Sequence, residues 1–207
     1  MNALEPSLDC PQCLRLVDFR AENQGKFPDF HNAPVPSFGP LSAPILIVGL
    51  APGLKGANRT GRPFTGDAAG DLLYPTLVKF GLARGTFGQS ADDGLELTGC
   101  RITNAVRCVP PQNKVTAFEV AACRPFLVAE IAAMTNLRTI VSLGLVSHNA
   151  VLKTLGLKQS KFKFAHGAQH DLGQGLMLAD SYHCSRYNTN TGRLTEQMFE
   201  DVFSSLL

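Results

Sequence analysis

A carboxylate, an imidazole, an amide and a set of thiols are the groups in this chain with chemistry to offer. Asp67 closes the stretch GLAPGLKGANRTGRPFTGD, which begins at Gly49, and His183 opens HCSRYNTNTGRLT. An Asp before Ala-Ala reads as a helix N-cap worth ~1 kcal/mol, and the same carboxylate could orient or activate a water. A single histidine is ordinarily a buried or solvated ring, and it is also the side chain most ready to donate to a polar ligand near neutral pH. Cys10 and Cys13 have C-x-x-C spacing, while Cys108 stands before a Pro-Pro turn and Cys123 falls inside a helical pattern. On spacing alone, four such thiolates point first to a tetrahedral zinc site.

These groups need elements to position them. Ile45-Leu46-Ile47-Val48 is a short β-branched run that reads as a fully buried strand, and Leu72, Leu73, Leu77 and Val78 mark a helix over about 68–83. Between them, a Gly/Pro-rich loop empties onto a helix N-terminus, which is where backbone N–H groups can receive an anion or polar ligand. Further strands are expected near Arg101–Ala105, Arg138–Leu143 and Gly175–Ala179. Thr116 with Glu119 predicts a capping box for a helix reaching about Met134. Helices are also expected over Gly144–Leu155 and Leu194–Leu206, with a basic loop over Lys158–His170. Pro28, Pro34, Pro36, Pro40 and Pro44 forbid regular structure and predict an extended segment over Phe27–Pro44, following the cysteine pair of an N-terminal arm over residues 1–43. Strands alternating with helices predict an α/β fold, a three-layer α/β/α sandwich around a mainly parallel four-stranded sheet.

Composition narrows the class. The 207 residues, 44% of them hydrophobic, suffice for one substantial core, so residues 1–207 are expected to form a single domain. A formal charge of +2 shows no general excess of cations, so any nucleic-acid surface must be a local one. The first residues, MNALEPSLDC, have neither a basic nor an apolar leader segment, and no apolar run approaches ~18 residues. A cytoplasmic protein without membrane association is expected. Six cysteines in that setting are metal ligands or small buried hydrophobes sooner than disulfides.

The two long motifs, with the early C-x-x-C and two cysteines in mid-chain, resemble the iron-sulfur uracil-DNA glycosylases. Leu50-Ala51 in the first motif resembles the family 5, or type b, branch, which lacks an acidic residue there. One departure is that Cys184 stands where the family commonly has proline, which frees φ and adds a donor. The resemblance implies hydrolysis of the N-glycosidic bond of uracil in damaged DNA, double- or single-stranded, by a monomer. Hypoxanthine, xanthine and other deaminated bases are possible further substrates, because no acidic first-motif residue ties the site to uracil. The resemblance gives His183 a hydrogen bond to the base carbonyl and Asp67 the attacking water, and it stacks Phe64 on the extruded base. Asn104 could read the base edge, or simply close a turn. Gly49, Ala51 and Asn188 are further candidate contacts to the substrate.

Such an enzyme must extrude the base and fill the gap. The family's insertion loop corresponds to Arg186-Tyr187-Asn188, making Tyr187 the candidate wedge and Arg186 a candidate phosphate contact. Lys55 and Arg62 are candidate DNA contacts as well, within the local basic face that the net charge hides. For Cys10, Cys13, Cys108 and Cys123 the resemblance implies a 4Fe-4S cluster in place of zinc. Two other classes fit parts of the sequence. A nucleotide-binding module would use the Gly-rich loop, which lacks the Gly-Lys-Ser/Thr ending of a phosphate cradle. A non-catalytic, metal-stapled DNA-binding protein would explain the thiols but not the His183 motif.

Overall fold

The strand β1 (Ile45–Gly49) is buried at every position, because a parallel partner lies on each side of it in the computed structural model, which describes residues 4–207. Those partners are β4 (Cys100–Asn104) and β5 (Thr139–Leu143). Between them in sequence, β2 (Ala83–Arg84) and β3 (Glu96–Leu97) form a separate two-stranded ribbon. The sheet continues through β7 (Met177–Ser181), parallel to β5, to β6 (Gln169–Asp171), antiparallel at the edge, in the order β4-β1-β5-β7-β6.

The sheet therefore has five strands, one more than the four expected. The extra strand lies within the expected basic loop. Its three residues are only partly covered, one of them half-buried, so they lack the continuous apolar run that marks a buried strand. Upstream of it Phe162, Phe164 and His166 turn inward while Lys161 and Lys163 are exposed.

Side-chain alternation along β1 divides the core into two layers. Ile45 and Ile47 join Leu73, Tyr74 and Leu77 of α3 (Ala68–Lys79), which follows the one-turn helix α2 (Ala57–Thr60), and Phe199 and Phe203 of α7 (Glu196–Ser204). Leu46 and Val48 face the other way, onto Leu127 of α4 (Ala117–Ala133) and Val151 and Leu152 of α5 (Leu145–Thr154). Helices on both faces make the expected three-layer sandwich. Burying each such side chain contributes about 1.5–3 kcal/mol before entropy is counted. The capping box is present: Glu119 accepts from the Thr116 N–H at 2.7 Å, and Thr116 Oγ1 accepts from the Glu119 N–H at 3.2 Å.

From residue 27 to 43 the arm forms no helix or strand, alternating turns with extended stretches and touching β4 through a Phe38–Ile102 bridge, and before that it contains a helix, α1 (Leu14–Lys26). The buried positions of α1 are Leu16, Arg20 and Asn23, so its inner face is largely polar and sends no periodic apolar signal. Glu5 bonds Arg107 at 2.9 Å and Arg101 at 3.3 Å, and the wholly buried Glu130 bonds both arginines, at 2.7 and 2.6 Å. This network ties the start of the arm to β4 and α4. Among the described residues, no helix is long and apolar enough to cross a membrane.

Candidate active site

Parallel pairing brings the C-terminal ends of β1, β4, β5 and β7 to one edge, where open α/β sheets bind ligands. The last pair in the β1/β4 register is Gly49 with Asn104. A Cβ at Gly49 would overlap both the Asn104 carbonyl oxygen and the Phe64 ring, so only glycine admits the amide and the ring together. Gly56 does the same for Asp67, whose carboxylate occupies the place a Cβ would need, and a Cβ on Gly53 would stand 2.9 Å from Asp67 Oδ2. The glycine spacing of the first motif thus positions three side chains. Phe64 is held at φ 52°, a left-handed conformation uncommon for a large residue and characteristic of functional loops.

Asp67 caps α3, its Oδ1 accepting from the Ala69 N–H at 3.1 Å. Its other oxygen lies over Gly53 and Gly56 beside the cavity. Burial raises its pKa, partly countered by the Ala69 and Gly70 N–H groups and the positive charge of Arg186. His183 lies past the end of β7, its ring 5.8 Å from that of Phe64. Enclosure by protein lowers its pKa to about 4, so the imidazole is neutral at physiological pH. A cavity of about 610 Å³ has Ala51, Asp67 and His183 in its wall, with Lys55 and Arg186 at exposed positions on its rim. A smaller recess of about 30 Å³ is lined by Phe64, Asn104, Asp67 and His183. One wall thus combines a carboxylate, a neutral donor ring, an amide and an aromatic face. That set can hold a planar polar group, stabilise negative charge growing on it and place a water.

The uracil DNA glycosylase superfamily model matches residues 36–207 of this chain. The chain is 46% identical to the type-5 uracil-DNA glycosylase of Thermus thermophilus, covering 93% of this chain and 90% of that one. It is 43% identical to the type-5 enzyme of Mycobacterium leprae, over 94% and 88% of the two chains. It is 34% identical to the type-4 uracil-DNA glycosylase of Pyrobaculum aerophilum, over 72% and 70%. The chain belongs to the uracil-DNA glycosylase superfamily.

Within this superfamily member two expected contacts find other tasks. Arg62 is 5% exposed and pairs with Asp93 through two hydrogen bonds of 2.7 Å, with the rings of Phe38, Tyr74 and Phe87 around it. A DNA phosphate needs an accessible cation, so Arg62 is a structural residue. Asn188 donates its amide to the His183 carbonyl at 2.8 Å, which shapes the histidine loop and places the amide outside the cavity wall. Tyr187 is 73% exposed on α6 (Arg186–Asn190), a short helix where a loop was expected. Cys184 is fully buried in the core layer of α3 and α7, filling space beneath the loop.

Pro110 and Asn113, which sequence reasoning missed, also line the glycosylase cavity. The signal for them was the Pro-Pro-Gln-Asn turn, where Gln112 and Asn113 take consecutive positive φ values of 56° and 57°. Cys10, Cys13, Cys108 and Cys123 converge on a separate cavity with Leu16 and Arg20. Burial first, and then the neighbouring sulfurs, raise the thiol pKa of Cys13 to about 11 and of Cys108 to about 12.

Proposed function

We propose that this chain is a DNA-repair glycosylase that flips uracil out of DNA and hydrolyses its N-glycosidic bond, leaving an abasic site. One observation carries the reading: Asp67, His183, Asn104 and Phe64 meet on a single recess in a chain of this superfamily. As the bond breaks, negative charge collects on the base and positive charge on the sugar. Neutral His183 donates an N–H to the base carbonyl as that charge grows, which needs no full proton transfer. Asn104 reads the base edge, and Phe64 covers its face. Asp67, ionised and short of solvent, orients the water that attacks the sugar. Lys55 and Arg186 meet phosphates at the mouth, and Tyr187 enters the vacated stack. The apolar Leu50-Ala51 wall supports acceptance of hypoxanthine and xanthine too, since it offers no polar partner specific to uracil.

Base release from a uracil-containing oligonucleotide tests this. Asp67→Asn and His183→Ala are each expected to lower the single-turnover rate by ~10²-fold or more, with DNA binding little changed. Wild-type cleavage by either variant would remove that residue from the mechanism.

For the four cysteines the reading is a 4Fe-4S cluster. Tetrahedral zinc, with Zn–S about 2.3 Å, draws its sulfurs to ~3.8 Å of one another. Among the described residues no three cysteine sulfurs lie within 4.8 Å of one another, a spread that suits thiolates at the corners of a larger cluster. Such a cluster would supply a covalent clamp between the arm and the body, in a cavity separate from that of Asp67 and His183. Iron and sulfide analysis of protein prepared without oxygen checks the assignment, and about one zinc with no iron would sink it.

A further inference from the structure

Leu16 and Arg20, four residues apart, share one face of α1, and with Cys13 at its N-cap they border the cysteine cavity. Arg20 is 8% exposed. Its Nη2 donates to the Cys10 carbonyl at 3.2 Å, while its Nη1 is buried and meets no acceptor among the described residues. Its positive charge is felt at the Cys108 thiol across the cavity and, outward, at the exposed Asp9, which forms no hydrogen bond with it. A buried guanidinium with an unspent N–H is costly and rare in native proteins. Arg20 borders the four sulfurs on one side and, on the other, an open groove with Asp9, Gln24, His31 and Asn32, none of which bonds Nη1, and on the sulfur side the fitting acceptor is an anionic group held by those sulfurs.

We propose that Arg20 is the built-in counter-cation of the group bound by Cys10, Cys13, Cys108 and Cys123, its Nη1–H donating to a sulfur of that group. This rests on the cluster reading above. Four thiolates around a 4Fe-4S core leave a net negative charge, which rises further on reduction. One fixed guanidinium inside the protein therefore favours the reduced form and raises the potential, since net charge and hydrogen bonds to sulfur both set it. It also shields the sulfurs on the side of the cavity where Cys10 is only partly covered.

The test compares anaerobically purified full-length protein with Arg20→Met, Arg20→Lys and Arg20→Gln, reading iron and sulfide content, the midpoint potential by spectroscopic titration, and the rate of bleaching in air. Arg20→Met is expected to give a more negative potential and several-fold faster bleaching, with Arg20→Lys restoring most of the potential. Should Arg20→Met fail to load or fold, the charge is read from Arg20→Lys against Arg20→Gln, with only the neutral variant shifted. Equal potentials and bleaching rates in iron-loaded charged and neutral variants would overturn the counter-cation role alone. Absence of iron from the wild type would overturn the cluster reading and this role with it.

Discussion

The charge on His183 decides what it can do to a departing base. An imidazolium would be a stronger donor, but burial among protein atoms holds the pKa to about 4, and the neutral ring still offers one N–H. The rate should therefore lack the break near pH 6.5 that an ordinary histidine imposes. The carboxylate of Asp67 must be ionised to accept from water, and its pKa is raised above the usual value. The acid limb is thus expected where Asp67 takes up its proton, above the range of an ordinary aspartate, and it should vanish in the residual activity of Asp67→Asn. A step at about 6.5 in the single-turnover pH profile that persists in Asp67→Asn would contradict the neutral-imidazole mechanism. The recess residues were legible in sequence because each is announced by its neighbours: glycines for Phe64 and Asp67, a strand end for Asn104 and His183. Arg62 was not, since its depth comes from Asp93, whose sequence distance hides the pairing.

Among the elements, α6 owes its importance to one side chain, Tyr187, which projects from it into solvent. Flipping a paired base costs a few kcal/mol, and a wedge offsets part of that by filling the stack. Tyr187→Ala is therefore expected to slow cleavage of uracil in well-paired duplex most, opposite a mismatch less, and in single strands hardly at all. An equal loss on both substrates would instead mean that Tyr187 holds the histidine loop in shape. A second element-level device joins α5 to the sheet. Both His148 nitrogens face acceptors, Asp180 Oδ1 at 2.8 Å and the Phe162 carbonyl at 3.0 Å, while Ser142 and His170 also bond Asp180. Burial would lower the His148 pKa, but the hydrogen bond and charge of Asp180 outweigh it and raise the value. The protonated ring thus stabilises the fold fully below about pH 6.5 and less as pH climbs through its higher folded pKa. The Tm deficit of His148→Gln is expected to shrink between pH 6 and 9, and a constant deficit would show that charge plays no part. None of this was legible in sequence, because β6 is too short and too polar to mark itself as a strand beside His148.

At the scale of the whole molecule, the glycosylase cavity and the cysteine cavity share the segment after β4, which gives Pro110 and Asn113 to one and Cys108 to the other, and they differ in the rest of what they need. The first needs only the sheet edge and its loops. The second needs the arm, α1, the segment after β4 and the middle of α4. Cys10→Ser is accordingly expected to cost thermal stability and iron content while leaving the rate per folded molecule near wild type, because a lost metal site removes folding free energy directly. A rate that fell in proportion for fully folded protein would couple the two sites. The pairing of the earliest thiols with much later ones also bears on synthesis. At about 5–20 residues per second, the chain between Cys13 and Cys123 takes roughly 5–20 s to elongate, and throughout that interval the C-x-x-C pair waits unpartnered on a nascent arm whose own inner face is polar. Translation thus opens a window in which those two thiols are open to oxidants and to stray metal ions, and delivery of the proposed cluster would be tied to a chain already more than half made.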